Sequence, residues 1–348
     1  VRLSSLYTLL YRFYRRQFLR LGPRVVAVGG GTGLPVLLRG LKKYTENITA
    51  IVTVADDGGS SGRLRGEFGI LPPGDIRNCL VALAETETLM DKLFHYRFAQ
   101  GDGLTGHNLG NLLLTALTDI TGDFQTAIRE ASRVLKVRGQ VLPSTLHQVT
   151  LHAELADGTV ISGESTLPLA GAPLKRVFLT PESCSPVPEA IDAIYRADLI
   201  LLGPGSLFTS VLSSLLVPGI ASAIKQSQAV KCYVCNIMTQ PGETTNYTAS
   251  DHLRAIYDHV GHGWIDYVLV NTKKIAQASL EKYARQGAAP VKIDYGALEK
   301  MGVRVLKADL LDERELVRHD PEKLGRAVLR LLGGHIPPGG RGQPSRER

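Results

Sequence analysis

Several short segments of this chain place glycine, hydroxyl and acid side chains at spacings that suit a phosphate group. The first is Gly29-Gly30-Gly31-Thr32-Gly33, between the β-rich run Arg24–Val28 and an amphipathic stretch through Leu34–Lys43. Glycines permit positive φ and let backbone N–H groups come close to an anion, and a helix start adds unpaired N–H groups and a positive dipole end. Gly29 and Gly31 fit the first two glycines of a dinucleotide fingerprint, but Leu34 stands where the third belongs, which counts against a nicotinamide dehydrogenase.

The second segment, Asp56-Asp57-Gly58-Gly59-Ser60-Ser61-Gly62-Arg63-Leu64-Arg65, follows the predicted strand Ile48–Ala55. Adjacent carboxylates at the carboxyl end of a strand suit ribose hydroxyls, or Mg²⁺ that bridges phosphates. Ser60, Ser61 and the N–H groups of Gly58 and Gly59 suit phosphate oxygens, with Arg63 or Arg65 as counter-charge. The plain alternative is a solvated acidic turn. In Pro72-Pro73-Gly74-Asp75-Ile76-Arg77-Asn78, Asp75 reads either as the N-cap of the next helix or as a third carboxylate, with Asn78 a turn further on. Gly106-His107-Asn108-Leu109-Gly110-Asn111 has the same double reading, and His107 is the histidine most readily placed near chemistry. The catalytic candidates are Asp57, Asp75 and His107. Gly205, Ser206, Thr209 and Ser210 follow the apolar run Leu199–Leu202, a predicted buried strand, and form another anion-suited helix start. A further loop, Asn236–Thr244, contains Thr239. His259 and His262 have no carboxylate pattern to join them and read as surface residues.

These loops need strands to hold them. Strand, glycine turn, helix and strand form the opening unit of a doubly wound, mostly parallel sheet, so an α/β Rossmann-like fold is expected. Residues 76–98 and 108–118 read as helices. Residues 146–185 read as a β-hairpin insertion, with strands Gln148–Glu154 and Val160–Glu164 around Asp157-Gly158. Alternation resumes with Asp198–Leu202, Val230–Ile237 and Tyr267–Val270. The expected organisation is a basic amphipathic helix over 1–22, the Rossmann-type domain over 23–332 and a disordered Gly, Pro and Arg tail over 333–348.

Composition narrows the function classes. The net charge of +7 on 348 residues resides at the two ends: residues 1–24 hold six arginines and no acid, and residues 25–340 sum to −1. A near-neutral body argues against a nucleic-acid surface. Residues 1–22 suit either a helix docked on the domain or peripheral contact with a membrane surface. No run of about 20 apolar residues is present, and arginines break the first apolar stretch, so neither a spanning helix nor a signal peptide is expected. The chain starts with valine, which fits a fragment of a longer chain or a non-ATG start. Four cysteines point to a reducing, cytoplasmic setting. Cys232 and Cys235 lie in a strand-like run and read as core residues rather than a redox pair.

Together the motifs Gly-Gly-Gly-Thr-Gly-Leu, Val-Ala-Asp-Asp-Gly-Gly-Ser-Ser-Gly-Arg-Leu-Arg, Pro-Pro-Gly-Asp-Ile-Arg-Asn, Gly-His-Asn-Leu-Gly-Asn and Gly-Pro-Gly-Ser-Leu-Phe-Thr-Ser resemble the bacterial gluconeogenesis factor family (YvcK-type). Thr-Ala-Ser-Asp-His at 248–252 matches too, and the resemblance runs over residues 24–320. This family is similar to the 2-phospho-L-lactate transferase CofD and falls in its superfamily. The resemblance implies a regulatory factor that binds a UDP-sugar, notably UDP-N-acetylglucosamine, linked to envelope precursor supply and cell shape. It also implies a partner enzyme of amino-sugar synthesis, and a homo-oligomer is expected. By the same resemblance Tyr283 and Arg318 match the tyrosine and arginine of the UDP-sugar site, where a tyrosine could stack on uracil and an arginine could pair with the diphosphate. In the transferase branch the matching acids, Asp57 and Asp75, hold Mg²⁺. Two other readings are a metal-dependent transferase of that branch and, more weakly, an oxidoreductase. NAD could also occupy such a pocket without being turned over.

Overall fold

The computed structural model describes residues 17–85, 89–170, 172–312 and 317–333. Most of the basic N-terminal segment and nearly all of the C-terminal tail lie outside the described residues.

Seven parallel strands form the central sheet: β1 (Val25–Gly29), β2 (Ile48–Val52), β3 (Gln140–Pro143), β7 (Leu199–Leu202), β8 (Val230–Val234), β9 (Tyr267–Asn271) and β10 (Arg304–Ala308). Their spatial order is β10-β9-β8-β7-β1-β2-β3. β1, β2 and β7 are buried along their whole length, which explains why Val, Ile, Leu and Ala dominate them. After β3 the chain returns to the far side of β1, so the strand order reverses between β1 and β7. Val28 pairs with Leu202 across this line, and the Gly203 N–H donates to the Val28 carbonyl at 2.9 Å. Such a reversal leaves a crevice at the carboxyl ends of the two strands, where the connecting loops must part in opposite directions.

The expected hairpin insertion is a three-stranded antiparallel sheet, in the order β5-β4-β6, of β4 (Thr150–Leu155), β5 (Val160–Ser162) and β6 (Leu174–Thr180). Its third strand lacks a tight-turn signal, because the short 3-10 turn Glu164–Leu169 intervenes. The helix expected over 76–98 is two helices, Gly74–Leu83 and Leu89–His95. It stops at Ala84, which leaves the helix to bridge Val137. His259 is half-buried rather than a surface residue: its Nε2 accepts the Val177 N–H at 2.9 Å and ties the insertion to the Ala249–Val260 helix. Cys232 and Cys235 are buried, and burial pushes both thiols up to about 12, which makes them inert core residues at neutral pH.

Near the C-terminus a two-stranded ribbon, β11 (Leu311–Asp312) with β12 (Arg318–His319), leads into the helix Pro321–Leu329. That helix crosses the Gly33–Leu41 helix where Gly40 and Gly325 meet, and a Cβ on Gly40 would run into the Pro321 carbonyl. Among the described residues no single helix is long and apolar enough to cross a membrane.

Candidate functional site

A cavity of about 390 Å³ opens at the β1–β7 reversal. Gly31, Thr32 and Gly33 line one wall, and Gly205, Ser206, Thr209 and Ser210 line the opposite one. Gly31 has φ +62, and a Cβ on Gly33 would sit 2.5 Å from the Pro204 carbonyl oxygen, so both positions demand glycine. Thr32 and Gly33 open the Gly33–Leu41 helix, and Ser206 opens the π-helical turn Leu207–Leu212. Two helix starts therefore face one space, each with N–H groups that lack a carbonyl within the helix. Asn236 braces the second wall: its Nδ2 donates to the Gly205 carbonyl at 2.8 Å.

The remaining walls come from segments far apart in the chain. Arg318 and His319 enter from β12, Gln240 and Glu243 from the loop after β8, and Glu164 from the insertion. Glu243 is buried and accepts the Ser206 hydroxyl; burial raises its pKa, opposed by that bond and by the Phe208 N–H. Glu164 is pushed up to about 8, first by burial and then by the charges of Asp56 and Asp75. His319 is driven down to about 4 by burial, against a hydrogen bond to the Cys235 carbonyl, so it is neutral at pH 7. A second cavity of about 340 Å³ shares Asn236 and Ile237 with the first and extends towards Lys273 and Lys274.

Asp75 is not an N-cap. The helix starts at Gly74 with Pro73 at the cap, and the Asp75 carboxylate accepts the Gly31 N–H at 2.6 Å. It therefore holds the glycine turn from beneath. Burial raises Asp75 to about 6, opposed by the Gly31 bond and assisted by the charge of Asp56. The nearby carboxylate is thus Asp56, whereas Asp57 turns to the insertion and accepts the Ser165 N–H at 2.9 Å. Gly30 packs against Asp75, and the Gly58 N–H is taken by Asp56 at 2.9 Å.

Several other anticipated residues support the walls without lining the cavity. Ser60 is buried and links His107, Asn108 and Asn111: its Oγ lies 3.1 Å from His107 Nδ1 and accepts from the Asn108 N–H and the Asn111 amide at 3.2 Å each. His107 is 3% exposed, and burial with the charges of Arg63 and Arg97 holds it below the usual imidazole range. Ser61 is buried against Gly74, and Gly59 starts the Gly59–Phe68 helix. Arg63 donates to the Thr105 and Gly103 carbonyls at 2.9 and 3.0 Å, and Arg65 to Val149 at 2.7 Å, so both guanidinium groups fasten loops instead of facing the cavity. Asn78 accepts from Arg77 at 2.6 Å. Thr239 exchanges hydrogen bonds with Ala289 at 2.7 and 3.0 Å. The Tyr283 ring packs near Ile237, Met238, Leu311 and Val317, outside the lining of the main cavity.

Sequence reasoning missed Glu164, Glu243 and His319. Glu243 carried a weak signal, since it follows Gln-Pro-Gly in a strand-end loop. Glu164 carried none, because only the docking of the insertion brings it to the cavity.

The sequence profile of the 2-phospho-L-lactate transferase CofD family matches residues 25–311. The gluconeogenesis factor of Halalkalibacterium halodurans is 56% identical over 306 residues, covering 88% of this chain and 95% of that protein. The gluconeogenesis factor of Bacillus subtilis is 54% identical over 311 residues, with 89% and 98% covered. A crystal structure of a UPF0052 family member from Bacillus halodurans has a TM-score of 0.86 at 55% identity, covering 88% of this chain and 99% of the other.

Proposed function

The chain belongs to the gluconeogenesis factor family, within the wider family of the 2-phospho-L-lactate transferase CofD, and from that premise we propose that it binds a UDP-sugar, UDP-N-acetylglucosamine, as a regulatory factor. The observation that carries this reading is the meeting of two helix starts and the Arg318 side chain around one cavity. Helix starts attract anions, and a guanidinium matches the forked geometry of phosphate oxygens. The adjoining cavity at Lys273 and Lys274 gives an elongated nucleotide sugar room beyond its diphosphate. Polar groups deeper in the site, such as Gln240 and neutral His319, suit sugar or base hydrogen bonds. In this reading the bound form reports envelope precursor supply to a partner enzyme of amino-sugar synthesis.

Calorimetric titration with UDP-N-acetylglucosamine tests the proposal. Binding is expected in the wild type, with a loss of about 10- to 100-fold in Arg318→Ala, the range for one charge-assisted hydrogen-bonded contact. No heat at millimolar ligand would sink the reading.

A second reading, a Mg²⁺-dependent transferase, draws on the closeness of Asp56 and Asp75. Among the described residues no three His, Cys, Asp or Glu side chains converge as a metal site. The chain would hold Mg²⁺ with those two carboxylates and leave further positions to ligand phosphates, an arrangement that this ion accepts. There it would neutralise charge on a diphosphate. If Mg²⁺ binds the diphosphate complex equally well in wild type and Asp75→Asn, this reading loses its basis.

A further inference from the structure

We propose that Glu243 reserves the Ser206 wall of the cavity for hydroxyl groups of the ligand, and so confines the diphosphate to the Gly31–Gly33 wall. The inference rests on the UDP-sugar reading above, because it assigns the parts of that ligand to the two walls.

The backbone donors around Ser206 are largely taken by the protein itself. The Gly205 N–H reaches Asn236 Oδ1 at 3.4 Å, the Thr209 N–H donates to Ser206 Oγ at 3.1 Å, and the Ser210 N–H donates to the Ser206 carbonyl at 3.2 Å. The Glu243 carboxylate accepts both the Ser206 hydroxyl and the Phe208 N–H. It stands where a bound anion would stand at this helix start, and both bonds favour its ionised form. A serine hydroxyl has one proton and two lone pairs. Ser206 directs its proton to Glu243 and one lone pair to Thr209, so an acceptor is what remains for the cavity it lines. A lone pair beside a buried carboxylate repels a phosphate oxygen and suits an O–H donor.

The carboxylate is held in place. Glu243 is 7% exposed, and its N–H and that of Thr244 both return to the Gln240 carbonyl, at 3.1 and 2.8 Å, which closes the turn. Gly242 has φ +81, and a Cβ there would run into the Pro168 carbonyl, so the insertion backs this loop directly.

The opposite wall differs. The Gly33–Leu41 helix has neither a side-chain cap at Thr32 nor an acid in its first turn, and Asp75 holds the Gly31 N–H beneath it. That helix start keeps its attraction for an anion. The cavity therefore has one wall that favours phosphate and one that accepts from hydroxyls, which is the polarity of a sugar diphosphate.

The test titrates the full chain with three probes: UDP-N-acetylglucosamine, UDP and inorganic pyrophosphate. UDP lacks the pyranose, and pyrophosphate lacks both sugars. In Glu243→Gln the affinity for UDP-N-acetylglucosamine relative to pyrophosphate is expected to fall about tenfold, since a charge that disfavours phosphate is removed and the glutamine amide competes for the Ser206 lone pair. Ser206→Ala, which also serves if Glu243→Gln does not fold, should weaken UDP-N-acetylglucosamine about five- to tenfold and leave pyrophosphate unchanged. A fall shared by UDP places the ribose on this wall, and a fall confined to UDP-N-acetylglucosamine places the pyranose there; both support the proposal. An unchanged ratio in Glu243→Gln overturns it, since equal weakening marks a general structural role. Pyrophosphate weakened by Ser206→Ala also overturns it, because phosphate would then sit on the Ser206 wall. Either of these results, with wild-type binding intact, removes the assignment alone. A wild type that binds no UDP-N-acetylglucosamine removes the ligand reading and the assignment with it.

Discussion

Glu164 retains a proton across the neutral range in the free protein, since burial and the charges of Asp56 and Asp75 both oppose its ionisation. Its pKa rises from 4.5 to about 8, so the folded state binds this proton more tightly than the unfolded chain. The resulting stability is fully present below 4.5 and is lost as pH rises through about 8. Glu164→Gln mimics the protonated form and should gain on the wild type over that window. Thermal unfolding at pH 5 and pH 8 checks this: the difference in Tm should widen at pH 8, and an equal difference at both would refute it. His319 has the opposite sign. Its depressed pKa makes stability rise between about 4 and its ordinary 6.5, so His319→Gln should flatten the acid side of the profile. These roles were only partly legible in the residues. Gly31, Ser206 and Thr209 could be read because helix starts need small and hydroxyl residues wherever they occur. For Asp75 the residues leave a cap and a site carboxylate both open, because its acceptor role depends on Gly31, a contact between segments 44 residues apart. Ser60, Arg63 and His107 have chemistry that suits a ligand, yet it is satisfied inside the protein.

At the scale of elements, the position of the C-terminal ribbon depends on one close helix crossing. Gly40 and Gly325 let the Gly33–Leu41 and Pro321–Leu329 helices touch backbone to backbone, and a methyl group on Gly40 has no room against the Pro321 carbonyl. Gly40→Ala should destabilise the fold by about 1–3 kcal/mol, as overpacking does. It should also weaken ligand binding, since Pro321 is three residues from Arg318. Urea unfolding and a parallel titration separate the two effects; affinity unchanged in a destabilised variant would show that the crossing does not position the ribbon. The β1, β2 and β7 strands were legible because fully buried strands read as apolar runs. The edge strands were not: β10 (Arg304–Ala308) carries exposed Arg304 and Lys307, and β3 is a four-residue strand ending in Pro143. Edges are commonly short or charged, which suppresses unwanted pairing and also erases the pattern by which a strand is recognised.

At the scale of the whole molecule, a ligand that binds only the folded chain must stabilise it. UDP-N-acetylglucosamine at a hundredfold excess over its Kd should add about 2.7 kcal/mol to the unfolding free energy. An unchanged Tm at saturating ligand would contradict the binding reading. The parallel sheet and its reversal were legible in the spacing of strands and glycine turns. The closing of the cavity by the insertion and ribbon was not, because it depends on contacts between segments more than a hundred residues apart.

That reversal also governs the order in which the protein becomes competent. The cavity takes residues from 31–36, 164, 204–210, 236–243 and 317–319, so no contiguous part of the chain contains it. Contacts so distant in sequence form late, after the loop-closure entropy between them has been met. During refolding, secondary structure should recover before the ability to bind, which should return only with the slowest phase. The ligand then acts as an inspector of finished molecules: it selects chains whose distant segments have already met, and it cannot guide those still being assembled.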